Sequence, residues 1–128
     1  MILDTSAVVA IILREPGFER LVERLLDAPA VGIGAPTLVE LSAVLLSRLG
    51  DDPLSRITPF LVEFRVVAIP FGEARWLEAA SAYRRFGRGR HPAGLNFGDC
   101  MSYATARVAG LPLLFVGDDF PRTDIPSA

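Results

Sequence analysis

Five carboxylates stand at positions where they could act together: Asp4, Glu40, Asp99 and the adjacent Asp118 and Asp119. A set of acids without a Cys-His companion group suits a hard divalent cation of the Mg2+ or Mn2+ class, with water filling the remaining ligand positions. Such a cation can activate water and neutralise a leaving oxygen in phosphodiester hydrolysis. The acids themselves argue for a divalent metal and phosphate chemistry, and for nothing narrower.

Each acid also has an ordinary structural use. Asp4, in Asp4-Thr5-Ser6, is good helix-capping chemistry, although Thr5 and Ser6 could cap without bringing a charge so near a core. Asp99 follows Asn96 by three residues, which is close to a capping box. Asp118 and Asp119 lie in a Gly-Asp-Asp turn, where Asp is common. Glu40 is the most informative. It is the only acid in the apolar helical segment TLVELSAVLLSRL, so something positive or hydrogen-bonding must meet it, an Arg partner being the ordinary case.

The basic side is Arg alone. The chain has 13 Arg and no Lys, at a net charge of -2. Setting aside Asp4, Glu40, Asp99 and Asp119, the remainder carries +2. Arg84, Arg85, Arg88, Arg90 and His91 are concentrated in the stretch RRFGRGRHPAG. It reads either as solvated surface or as a flap contacting phosphates, with Arg85, Arg88 and Arg90 as the substrate-binding candidates. His91 reads as solvated or backbone-contacting rather than as a general base. Cys100 reads as a buried helix residue.

These positions hang on an alternation of short apolar strands and helices. Strands are expected over residues 1–4, 31–34, 65–69 and 113–116. Helices are expected over 6–13, 18–27, 37–49, 53–64, 72–86 and 96–109, with Ser6 capping the first. Short strands that are apolar on both faces and alternate with helices predict a parallel sheet between helical layers, a three-layer α/β/α arrangement. Ligands of such sheets bind past the carboxyl ends of the strands, where Asp4 and Asp118-Asp119 fall.

At 128 residues and 51% hydrophobic, the chain reads as one domain, residues 1–128, and not as a disordered segment. One Cys excludes an internal disulfide and fits a reducing cytoplasm. The apolar N-terminus lacks a positive leader and is interrupted by Asp4, so no signal peptide is expected; no apolar run is long enough to span a membrane. Phosphoryl transfer to an Asp also uses strand-end carboxylates, but enzymes of that class rely on a Lys, and this chain has none.

The opening MILDTSAVVAIILREP, the helix PTLVELSAVL, the segment GRGRHPAGLNFGDCMSYATAR and the ending LPLLFVGDDFPRTDI together resemble the PIN-domain ribonucleases, and among them the VapC toxins of bacterial toxin–antitoxin pairs. The resemblance spans essentially the whole chain. LNFGDC followed by LLFVGDDF at this spacing is its most specific part. It implies a PIN-like α/β/α fold and Mg2+-dependent cleavage of RNA by a metal-activated water, with Mn2+ able to substitute. It also implies a small VapB-type antitoxin, a homodimer and a toxin–antitoxin hetero-oligomer. Carried over by position, it makes Asp4, Glu40, Asp99 and one acid of the Gly117-Asp118-Asp119 turn catalytic, with Asp119 favoured over Asp118. Asp4, Asp99 and Asp119 would be metal ligands, Glu40 would position or deprotonate the attacking water, and Ser6 and Asp118 would assist. The alternative is a silent module of the same fold that binds antitoxin or nucleic acid without turnover.

Overall fold

A computed structural model describes all 128 residues, Met1–Ala128. Four short strands, β1 (Ile2–Leu3), β2 (Gly32–Gly34), β3 (Val67–Ile69) and β4 (Leu113–Leu114), form one sheet in the order β3-β2-β1-β4. Every pairing is parallel; Ile2 sits opposite both Gly32 and Leu113, and Leu3 opposite Ile33 and Leu114. Parallel neighbours need crossovers, and helices supply them. They are α1 (Thr5–Ile12), α2 (Phe18–Asp27), α3 (Ala35–Leu49), α4 (Leu54–Glu63), α5 (Glu73–Phe86) and α6 (Phe97–Ala109).

The helices cover both faces of the sheet at β1, β2 and β4, while edge strand β3 leaves Val67 and Ala68 exposed. In β1, Ile2 and Leu3 are both fully buried but join different cores. Leu3 packs with Val8, Ile33, Leu41, Leu45 and Phe60, while Ile2 packs with Leu95, Tyr103, Ala104 and Leu113. Successive strand residues point to opposite faces, so a two-residue strand buried on both sides needs two cores. This is the three-layer arrangement expected from the sequence. Gly34 lets α6 lie close on β2: a Cβ there would stand 2.6 Å from Thr105 Oγ1.

Two features depart from the expectations. Asp4, not Ser6, is the N-cap of α1. The chain end forms an additional edge: after a 3-10 turn, Phe120–Arg122, the tail runs back along β4, with Leu113 N–H donating to Pro126 O and Ala128 N–H to Leu113 O. Asp124 fastens this tail. It accepts a 2.6 Å hydrogen bond from the buried Tyr103 hydroxyl, and Arg85 and Arg107 flank it. The Tyr103 bond holds the Asp124 carboxyl below its usual range.

Candidate metal and phosphate site

Because all four strands run the same way, their carboxyl ends share one edge of the sheet, and the acids collect there. A cleft of about 350 Å3 is lined by Asp4, Ser6, Glu40, Asn96 and Asp99, with Glu15 and Arg48 toward one side. A larger cleft, about 450 Å3, lies between α5 and α6. Its wall of Trp76, Ala79, Ala80, Tyr83, Phe97, Cys100 and Met101 is apolar and holds no carboxylate.

Asp4 serves as cap and retains a spare oxygen. The Ser6 N–H and hydroxyl both donate to Oδ2, at 3.0 and 2.5 Å. The Ser6 hydroxyl in turn accepts from Val116 N–H at 3.0 Å, tying α1 to the chain leaving β4. Asp4 is only 4% exposed, and its Oδ1 is buried without a hydrogen-bond partner. A buried carboxylate oxygen left unpaired is costly and calls for a counter-charge.

Asp99 is divided in the same way. It completes the capping box expected of Asn96-x-x-Asp99: Asp99 N–H donates to Asn96 Oδ1 at 2.8 Å, and Asn96 N–H donates to Asp99 Oδ2 at 3.0 Å. No protein donor reaches Oδ1. Burial pushes this carboxyl up to about 6; the Asn96 hydrogen bond opposes the rise, and the charges of Asp4, Asp119 and Glu40 add to it. Asp118 and Asp119 are both exposed in the turn after β4, and neither lines the cleft.

Glu40 projects from α3 onto the first turn of α6. Its Oε2 lies 1.7 Å from where a Cβ on residue 98 would stand, so only glycine fits at position 98 with Glu40 in this place. The free N–H groups of a helix's first turn give it a partial positive charge that suits a carboxylate. Gly98 was not singled out from the sequence. The signal available was a glycine within a helix's first turn, where it costs about 1 kcal/mol relative to alanine.

None of the five acids has an Arg partner. The salt bridges run Arg48–Glu15, Arg85–Glu78, Arg85–Asp124 and Arg107–Asp124. Nor do three or more acids converge closely enough to hold a metal ion unaided. A cation such as Mg2+, which keeps several waters and takes one or two carboxylates, does not require such a cage. The spare oxygens of Asp4 and Asp99 are the two suited to direct contact.

The basic loop lies beside the site. It leaves α5 at Gly87, pairs back with Leu95 and delivers Asn96 to the head of α6. Arg122, three residues past Asp119, donates to Pro92 O at 3.0 Å and docks the loop on the Asp118-Asp119 side. Arg88 and Arg90 are exposed on it. Arg85 differs from the expectation of a free substrate contact: its guanidinium donates to Glu78 and to the Tyr103 hydroxyl and pairs with Asp124, which makes it an anchor of the tail. His91 Nδ1 accepts from Ala93 N–H and its ring packs edge-on against Phe86, so it shapes the loop.

Comparison with known proteins agrees with this architecture. The PIN domain family model matches residues 1–126. A Mycobacterium tuberculosis protein named Ribonuclease VapC42 is 48% identical over 133 residues, spanning 100% of this chain and 98% of that protein. A Mycolicibacterium smegmatis Ribonuclease VapC is 44% identical over 126 residues, spanning 98% and 97%. Among solved structures, Mycobacterium tuberculosis VapC20, described as a sarcin-ricin loop cleaving toxin, superposes with a TM-score of 0.77 at 18% identity, covering 99% of this chain and 97% of that one. DNA-bound VapBC from Salmonella typhimurium gives 0.77 at 21%, covering 98% and 93%. With the family model matching residues 1–126 and VapC relatives above 40% identity over nearly their full length, this chain belongs to the PIN-domain family, among its VapC members.

Proposed function

We propose that this protein is the ribonuclease toxin of a toxin–antitoxin pair, cutting RNA by divalent-metal-dependent phosphodiester hydrolysis in the cytoplasm. One observation carries the reading: Asp4, Glu40 and Asp99 share one cleft with no Arg paired to any of them, and Asp4 keeps a buried oxygen with no partner. The names of the VapC relatives support the reaction.

Mg2+, or Mn2+ in its place, would be held by Asp4 and Asp99, with Asp119 reaching it through water. When bound, it supplies positive charge to the phosphodiester and acidifies the attacking water. The protein's own groups do the rest. Ser6 fixes Asp4 by binding its Oδ2, which leaves Oδ1 for the cation. The Asn96 cap holds Asp99 in the same manner. Glu40, set against Gly98, orients the water and accepts its proton. Asp118 assists from the same exposed turn as Asp119. Arg88 and Arg90 contact the RNA backbone from the adjoining loop, a role that carries no base preference.

The solved VapBC assemblies support a small VapB-type antitoxin as partner. Exposed Trp76, Tyr83 and Phe97 around the α5–α6 cleft support a homodimer as the unit that carries it. No helix is long and apolar enough to cross a membrane.

The test is a Mn2+ titration, with and without EDTA, read on a panel of tRNAs and structured RNAs. Cleavage that appears with Mn2+ and stops with EDTA is expected. RNA or antitoxin binding with no cleavage at any Mn2+ concentration would instead establish the silent binding module.

A further inference from the structure

Of the thirteen Arg residues, Arg48 alone lines the acid cleft. It stands eight residues after Glu40 on α3, with Val44 between them, so all three share one face, and Glu40 and Arg48 lie about 12 Å apart along the axis. Helical side chains lean toward the N-terminus, so Arg48 leans toward the acids. In this structure its Nη1 binds Glu15 Oε1 at 3.0 Å. The pair is solvent-accessible, at 54% for Arg48 and 37% for Glu15. Glu15 is held in place by the end of α1. Arg14 turns the chain with a φ of 52°, a left-handed conformation that non-glycine residues rarely adopt, and Glu15 N–H closes onto Ala10 O at 2.8 Å.

We infer that Arg48 is a substrate-phosphate clamp of this cleft and that Glu15 holds it in reserve, to be displaced by an RNA phosphate flanking the one that is cut. The inference rests on the ribonuclease reading above. An exposed ion pair contributes little to folding and exchanges readily. A guanidinium matches a phosphate as a two-pronged donor at least as well as it matches a carboxylate. The neighbouring acids repel RNA, so an Arg on the rim of this cleft compensates where the repulsion is greatest.

The experiment measures anisotropy of a fluorescein-labelled tRNA pool with Ca2+ present, over a salt series. Backbone clamping is independent of sequence, so a mixed pool suffices. Arg48→Ala should weaken binding roughly tenfold and reduce the salt slope by about 1. Glu15→Gln should tighten binding by up to about fivefold, as release of an exposed pair allows, and this gain should vanish in the double variant. Arg48→Lys should recover the salt slope but only part of the affinity, which also serves should the Ala variant fold poorly. Wild-type affinity and salt slope in a folded Arg48→Ala protein would overturn the inference and leave the ribonuclease reading intact, provided the wild type still cuts RNA with Mn2+. A wild type that neither binds nor cuts RNA would overturn both.

Discussion

Replacing Gly98 with Ala separates activity from stability. The added Cβ would lie 1.7 Å from Glu40 Oε2, against an ordinary C···O approach of about 3.3 Å, so the carboxylate must retreat by about 1.6 Å. The clash is with the free end of a side chain, which can swing away, so the backbone need not move. Alanine is the better helix former by about 1 kcal/mol, and the variant should therefore unfold at the wild-type temperature or slightly above it. Catalysis should suffer, because a misplacement of about 1 Å in a reacting group costs on the order of 10²-fold. The assay pairs thermal unfolding with single-turnover RNA cleavage in saturating Mg2+. A fall in rate of about 10²-fold with unchanged melting, matched by Glu40→Gln, is the expected result. Wild-type cleavage by Gly98→Ala would refute the role given to Glu40. Strong destabilisation would refute the geometry from which that role was argued.

Three further outcomes follow from the same structure. In metal-free protein Asp99 keeps its proton up to about pH 6, against 3.8 in the unfolded chain. Between those values the folded state binds more protons, so stability falls as pH rises through the window; melting scans in EDTA should show this decline, and Asp99→Asn should flatten it. Ser6→Ala removes the link between Asp4 and Val116; calorimetry should show weaker Mn2+ binding, with a stability loss of about 1 kcal/mol by urea unfolding. Tyr103→Phe releases Arg85 and Asp124 from the tail clamp; it should cost about 1.5–3 kcal/mol in the same unfolding assay while leaving Mn2+ affinity unchanged.

Much of the architecture was legible because its signals are local. Residues 18–27 show a clear helical period and form α2 as read, and Gly50 and Gly110 stop α3 and α6 in the left-handed conformation. Asp4 and Asp99 were harder, since capping and metal binding looked like competing uses. The structure removes the competition: each carboxylate caps with one oxygen and leaves the other free. Glu40 was conspicuous as an acid among apolar neighbours, yet its seat on Gly98 depends on α3 meeting α6, which no local pattern encodes. The same holds for Arg85. In sequence it belongs to an Arg-rich run, and only the fold turns it toward Tyr103 and Asp124. The tail's pairing with β4 is carried by backbone groups and leaves no side-chain signature.

The central claim is that Asp4 supplies a metal-holding oxygen to an RNA-cutting site. Asp4→Asn retains the shape of the residue and an oxygen that can cap α1, but removes the charge. Its rate of RNA cleavage in saturating Mg2+, compared with wild type, is the most direct measurement. The account predicts a loss of at least about 10²-fold in a protein that still folds; cleavage at the wild-type rate would contradict it.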